Sequence, residues 1–222
     1  MSNLFRGKAS DGGGRLDKEL AALEAQAASA SSGYETQFLN RAGNLCVEAG
    51  QPARALGYYG RAIDAYLESG RFSAAEVLCR KVLQIAPKAV RARCTLAWLA
   101  LGKGFKDNTR SEIEQYVDAA EQAGQQRFAA RQLQMMAEAA VNIDLRQEIA
   151  DHLLRLEATA EADYVYGLVF QEENGIASAS ADEGKLWGRL LRAALMGPKE
   201  LQQARGEAEE DQDALPSLLR KD

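Results

Sequence analysis

Few residues in this chain of 222 carry reactive chemistry, and their spacing argues against most catalytic designs. The sole histidine, His152, follows Glu148 by one helical turn. With no second histidine and no nearby cysteine, that pair falls short of the ligand set a zinc site needs. A histidine at the edge of a core is the reading taken. Cys46, Cys79 and Cys94 are scattered and lack CxxC spacing. That excludes a zinc knuckle or a disulfide framework and suits a reducing compartment. Buried packing is their ordinary role, with a redox sensor as the alternative. Gly102-Lys103-Gly104 lacks both the upstream glycine and the following Ser or Thr of a phosphate-binding loop. Neither a G-x-S-x-G elbow nor a plausible Cys–His nucleophile pair occurs. The expectation is therefore no catalytic residue, no metal and no cofactor.

Basic residues offer the other candidate chemistry. Arg71, Arg80, Lys81, Lys88, Arg91, Arg93, Lys103 and Lys106 fall in a stretch whose single acid is Glu76. Eight bases against one acid give +7; the whole chain is −5, so the remainder carries −12. A net-negative chain is not built for general binding to nucleic acid or membrane surfaces. The basic run is either a solvated face or a patch for an acidic peptide. The chain's own acid-rich end, with Glu207, Glu209, Glu210, Asp211 and Asp213, is a candidate occupant in cis.

Helices must position these residues. Hydrophobic residues make up 46 %, prolines number 4, and alternating strand-like runs are hard to find. Residues 1–33 read as a flexible N-terminal segment closing at Gly12-Gly13-Gly14, a short helix over 15–29, and the connection ASASSG. Residues 34–172 read as helix after helix. Helix 35–49 opens at the capping box Ser32-x-x-Glu35 and stops at Gly50. Helix 52–69 starts on Pro52 and ends at Gly70, and helix 74–86 runs from Ser73-x-x-Glu76 to Pro87. Helix 89–102 is followed by a polar loop through Asp107 and Asn108. Ser111-x-x-Glu114 then opens a helix ending near Gly124. Helices 126–141, 144–157 and 159–172 follow from a period near 3.6. Residues 173–222 hold a small-residue linker, a helix over 185–196 and the acidic tail. The helix has a stripe of Leu186, Trp187, Leu190, Leu191 and Leu195. It is read either as a cap on the last hairpin or as a detachable helix that docks on a partner. No secretory h-region opens the chain, and no apolar run approaches the roughly 20 residues that span a bilayer.

Three stretches resemble the tetratricopeptide repeat, a helix–turn–helix unit. One starts at Thr36, with Leu39, Ala42, Gly43, Cys46, Ala55, Tyr59 and Ala62 at family-like positions. A second starts at Leu56, with Tyr59, Ala62, Tyr66, Gly70, Ala75, Cys79, Val82 and Pro87. A third starts at Val90, with Leu96, Ala97 and Ala100. The first two share helix 52–69, and the signature fades beyond residue 105. The resemblance implies an all-α fold, an α-α superhelix in the form of a solenoid of stacked helical hairpins. Its concave face would take an extended peptide or a partner helix. In the Thr36 register, Asn40 and Asn44 stand where the family's carboxylate clamp has polar residues, but the expected lysine is missing there. Trp98 lines the groove with Arg91, Cys94 and Leu101 in the Val90 register. In the alternative register Trp98-x-x-Leu101-Gly102 it is core.

The candidate partner-binding residues are thus Asn40, Asn44, Arg80, Lys81, Arg91, Arg93 and Trp98. The function expected is a cytoplasmic adaptor or chaperone-like scaffold that binds another protein or peptide. It would bind no nucleic acid and insert into no membrane. The alternative is a regulatory or sensory subunit whose groove takes a small ligand or its own acidic tail.

Overall fold

The computed structural model describes residues 11–31, 34–104 and 106–173, and those residues form nine helices and no strand. The linker, helix 185–196 and the acidic tail lie outside the described residues, as does the capping residue Ser32. The chain divides into two compact units, Met1–Ile85 and Ala86–Asp222. The first contains α1 (Asp11–Ser29), α2 (Glu35–Glu48), α3 (Pro52–Glu68) and α4 (Phe72–Ile85). The second contains α5 (Val90–Lys103), α6 (Lys106–Gln122), α7 (Gln126–Ala139), α8 (Ile143–Arg155) and α9 (Thr159–Glu173). Helices pack chiefly on their neighbours in sequence. The described residues therefore have the all-α, stacked-hairpin class expected of an α-α superhelix.

The helix ends follow one device. After α2, the Gly50 amide bonds the Val47 carbonyl and the Gln51 amide bonds the Cys46 carbonyl, while Gly50 sits at φ +69°. This Schellman geometry satisfies carbonyls that the helix leaves orphaned. It recurs after α3 at Gly70, after α6 at Gly124, and after α8 at Glu157, the one non-glycine at positive φ among the described residues. Starts are less uniform. Pro52 takes the first turn of α3, and the Asn142 side chain caps α8 by accepting from the Leu145 amide at 3.0 Å.

Several boundaries differ from the sequence reading. Ser73 is not a cap: α4 begins at Phe72, and the Ala74 and Ala75 amides already bond the Arg71 carbonyl. The tight reversal at Gly70 leaves no room for a longer connection. Likewise α6 begins at Lys106, so Asp107 and Asn108 are helical and Ser111 lies inside the helix. Gly104, at φ +75°, turns the chain at once, and Asp107 in the first turn complements the helix dipole. Helix α1 extends back to Asp11 through the three glycines, continuous with the turns anchored by Leu16, Leu20, Leu23 and Ala27.

The core of unit 1 joins those four α1 residues to Leu39 and Cys46 of α2, Tyr59 and Ala62 of α3, and Ala75, Leu78, Cys79 and Val82 of α4. All seven positions quoted for the Thr36 register are buried. In unit 2, every residue of α5 from Cys94 to Leu101 is buried. The same core takes Ile113, Tyr116 and Val117 of α6, Leu133 and Met136 of α7, Ile149 and Leu153 of α8, and Val165 of α9. Across the surface of α6 and α8, Arg110 pairs with Glu148 at 2.6 Å and Arg155 with Asp118 at 2.5 Å. Exposed pairs of this kind add only about 0.2–1 kcal/mol each.

Candidate functional site

Asn40 and Asn44 sit one turn apart on α2, which puts them on one face of that helix. Beside Asn44, Gly43 leaves a notch into which the Tyr59 ring of α3 fits. A Cβ at Gly43 would meet the ring's Cδ1 at 2.6 Å. The seated ring is fully buried, and its hydroxyl reaches out of the crossing to donate to Asn44 Oδ1 at 2.8 Å. From α4, Lys81 lays its ammonium 4.8 Å from the centre of the same ring and donates to the same Asn44 oxygen at 2.5 Å. Helices α2, α3 and α4 thus converge on one amide. No carboxylate among the described residues pairs with Lys81. Asn40 is half-buried, with its Oδ1 buried and without a hydrogen-bond partner among the described residues.

The remaining candidates lie elsewhere. Arg80, next to Lys81, is exposed and pairs with Glu76 at 3.0 Å along α4. Arg71, the first base of the run, donates to Thr36 Oγ1 at 3.1 Å and stacks 4.8 Å over the Tyr66 ring. In unit 2, Arg91 and Arg93 are half-buried, and Arg93 donates to Gln115 Oε1 at 2.5 Å. The basic run is therefore shared between two units: Arg71, Arg80 and Lys81 belong to the first, and Lys88, Arg91, Arg93 and Lys103 to the second.

Trp98 is core. It is 0 % exposed, and its indole Nε1 donates to Gln132 Oε1 of α7 at 2.9 Å. The reading of Trp98 as a groove anchor is corrected on that ground: an indole sealed inside unit 2 offers no surface. Cys94 is corrected with it, since the side expected to face a groove is buried against Gln132, with Sγ 3.8 Å from Oε1. Burial pushes its thiol up to about 12, with Tyr116 and Arg91 pulling weakly the other way. The protonated thiol is a poor nucleophile. Cys46 and Cys79 are also buried and form no disulfide, and burial raises the Cys46 thiol as well.

His152 is half-buried, its pKa lowered first by desolvation and then by Arg155. Among the described residues no group of three or more His, Cys, Asp or Glu could hold a metal.

Sequence spacing located Asn40, Asn44 and Lys81 but gave Tyr59 only a packing role. Tyr59 lies 15 residues from Asn44, and Asn44 lies 37 from Lys81, so only the folded hairpins bring the three together. The glycine notch was the available signal, because a small residue at a helix crossing marks where a large one intrudes. Comparison with protein-family models, curated proteins and solved structures finds no match to this chain.

Proposed function

We propose that this chain is a protein-interaction module, an adaptor or chaperone-like scaffold of tetratricopeptide type that holds an acidic segment of a partner polypeptide. Lys81 and Asn44 of unit 1 are the centre of the site. The observation that carries this reading is the state of Lys81. Its ammonium is half-buried and fixed on an aromatic face and an amide oxygen, without a counter-ion among the described residues. A cation held in that way gains from a carboxylate supplied by a ligand. Within α4, Arg80 and Lys81 stand against a single acid, Glu76, so the helix that carries the site is net positive.

No helix among the described residues is long and apolar enough to cross a membrane. Three buried cysteines that form no disulfide suit a reducing cytoplasm. Catalysis is not part of this proposal.

The experiment is a titration of the full chain with an end-blocked, glutamate-rich peptide at low and at physiological salt. Binding that weakens steeply with salt, and about tenfold weaker binding by Lys81→Glu, are the expected results. Equal affinity for wild type and variant would return Lys81 to the status of an ordinary surface cation.

A further inference from the structure

We infer that Tyr59 sets the specificity of this site: by occupying the Asn44 side-chain oxygen it leaves a ligand only hydrogen-bond donors, so that a side-chain carboxylate of an acidic peptide is preferred over the matching amide. The inference rests on the reading of Lys81 and Asn44 as the partner site.

The argument is one of lone pairs. An asparagine oxygen accepts two hydrogen bonds. Both are taken at Asn44, one by the Tyr59 hydroxyl at 2.8 Å and one by Lys81 Nζ at 2.5 Å. Lys81 can only donate, so it also fixes which end of the amide faces it: the reverse orientation would set two donors against each other. What remains at Asn44 is the Nδ2 group, which has no acceptor among the described residues. Lys81 retains protons beyond the one it gives to Asn44. One turn earlier, the Asn40 oxygen is buried.

Tyr59 can enforce this because it cannot move away. Its ring is 0 % exposed and is seated against Gly43, with the Lys81 ammonium above it. Without the phenol hydroxyl, one Asn44 lone pair is released. The oxygen, still held towards Lys81, then has one lone pair to offer a donor, and a glutamine side chain, which brings an N–H, becomes nearly as good a ligand as a glutamate. Tyr59 is a positioning residue, acting through Asn44.

The test uses the full chain and two end-blocked, labelled octapeptides, one alternating glutamate and alanine, the other with glutamine for every glutamate. Wild type should bind the glutamate peptide about tenfold or more tightly than the glutamine peptide, the scale of one charge-assisted hydrogen bond. Tyr59→Phe keeps the ring under Lys81, and its preference should fall to within about threefold. The Asn44 side-chain amide signals in NMR should shift with the glutamate peptide alone in wild type, and with both peptides in the variant. A loss of stability alone would not move that ratio. If Tyr59→Phe does not fold, Asn44→Ala decides: it removes the occupied oxygen and the free donors without adding a charge beside Lys81, and the preference should fall several-fold. A folded Tyr59→Phe with the wild-type ratio, or a folded Asn44→Ala with the wild-type ratio, would overturn the inference while leaving the site reading intact. Failure of wild type to bind the glutamate peptide at all would overturn both.

Discussion

Arg146 and Glu172 form an ion pair that ties α8 to α9, with the arginine side chain only 6 % exposed. The same arginine turns its Nε to the Ala137 carbonyl at 3.1 Å, one of the orphaned acceptors in the last turn of α7. One side chain therefore holds the ends of three helices. Arg146→Ala removes all of it and leaves a buried carbonyl unsatisfied. Breaking a buried pair costs about 3–5 kcal/mol. Glu172 is about a third exposed and recovers some hydration, so a loss of about 2–3 kcal/mol in denaturant titration is expected. Glu172→Gln, which keeps an acceptor, should cost less.

Alkaline stability should depend on Cys94. Its folded pKa is about 12 against an ordinary 9.0, and that of Tyr116 beside it is raised well above 10.0. The folded chain keeps protons that the unfolded chain loses. Stability is thus full below the unfolded values and falls as pH rises from about 9 towards 12, at up to about 1.4 kcal/mol per pH unit for each group. Melting temperatures taken over this range should fall less steeply in Cys94→Ala than in wild type. Parallel slopes would mean that the thiol titrates normally.

Glu157 adopts φ 61° at the end of α8, where the other Schellman ends carry glycine. A left-handed residue with a side chain costs about 1–2 kcal/mol, and glycine gives part of that back as unfolded-state entropy. Glu157→Gly should therefore raise stability by about 0.5–1 kcal/mol, although it adds a glycine. Gly50→Ala, at φ +69°, should lower it.

Two glycines within helices should respond with opposite signs. At Gly57 of α3 a Cβ meets nothing within 4 Å, so Gly57→Ala gains helix propensity, about 0.5–1 kcal/mol. At Gly43 the same gain is outweighed by the Tyr59 ring, which is too buried to retreat. Overpacking of this kind costs about 1–3 kcal/mol, so Gly43→Ala should be destabilised by about 1–2 kcal/mol net. Its Tyr59–Asn44 hydrogen bond should also be disturbed, which ties the stability of this crossing to the site above it.

Helix ends with chemical punctuation were legible in the sequence: Gly50, Gly70, Pro87 and Gly124 mark real stops. The Ser-x-x-Glu starts at Ser73 and Ser111 misled, because that spacing also puts two polar residues on one exposed helix face with no cap involved. Trp98 could not be decided by periodicity, since two registers fitted it. Its partner, Gln132, is 34 residues away and carries no motif. Asn44 and Lys81 could be named from residue type and charge, but their shared oxygen depends on how three helices cross. The phenol between them was visible only as a large residue that wanted a small neighbour.

The sequential packing of the helices also bears on how the chain reaches this state. Within each unit the helices lie mainly on neighbours in sequence, so the loops closed at each step are short and their entropic cost is small. Topologies of this kind fold in microseconds to milliseconds, far faster than residues are added during synthesis. Met1–Ile85 can collapse on the ribosome before α5 has emerged, and the Asn44–Tyr59–Lys81 arrangement would then be assembled on a nascent chain. An acidic partner could meet this protein before its translation is complete.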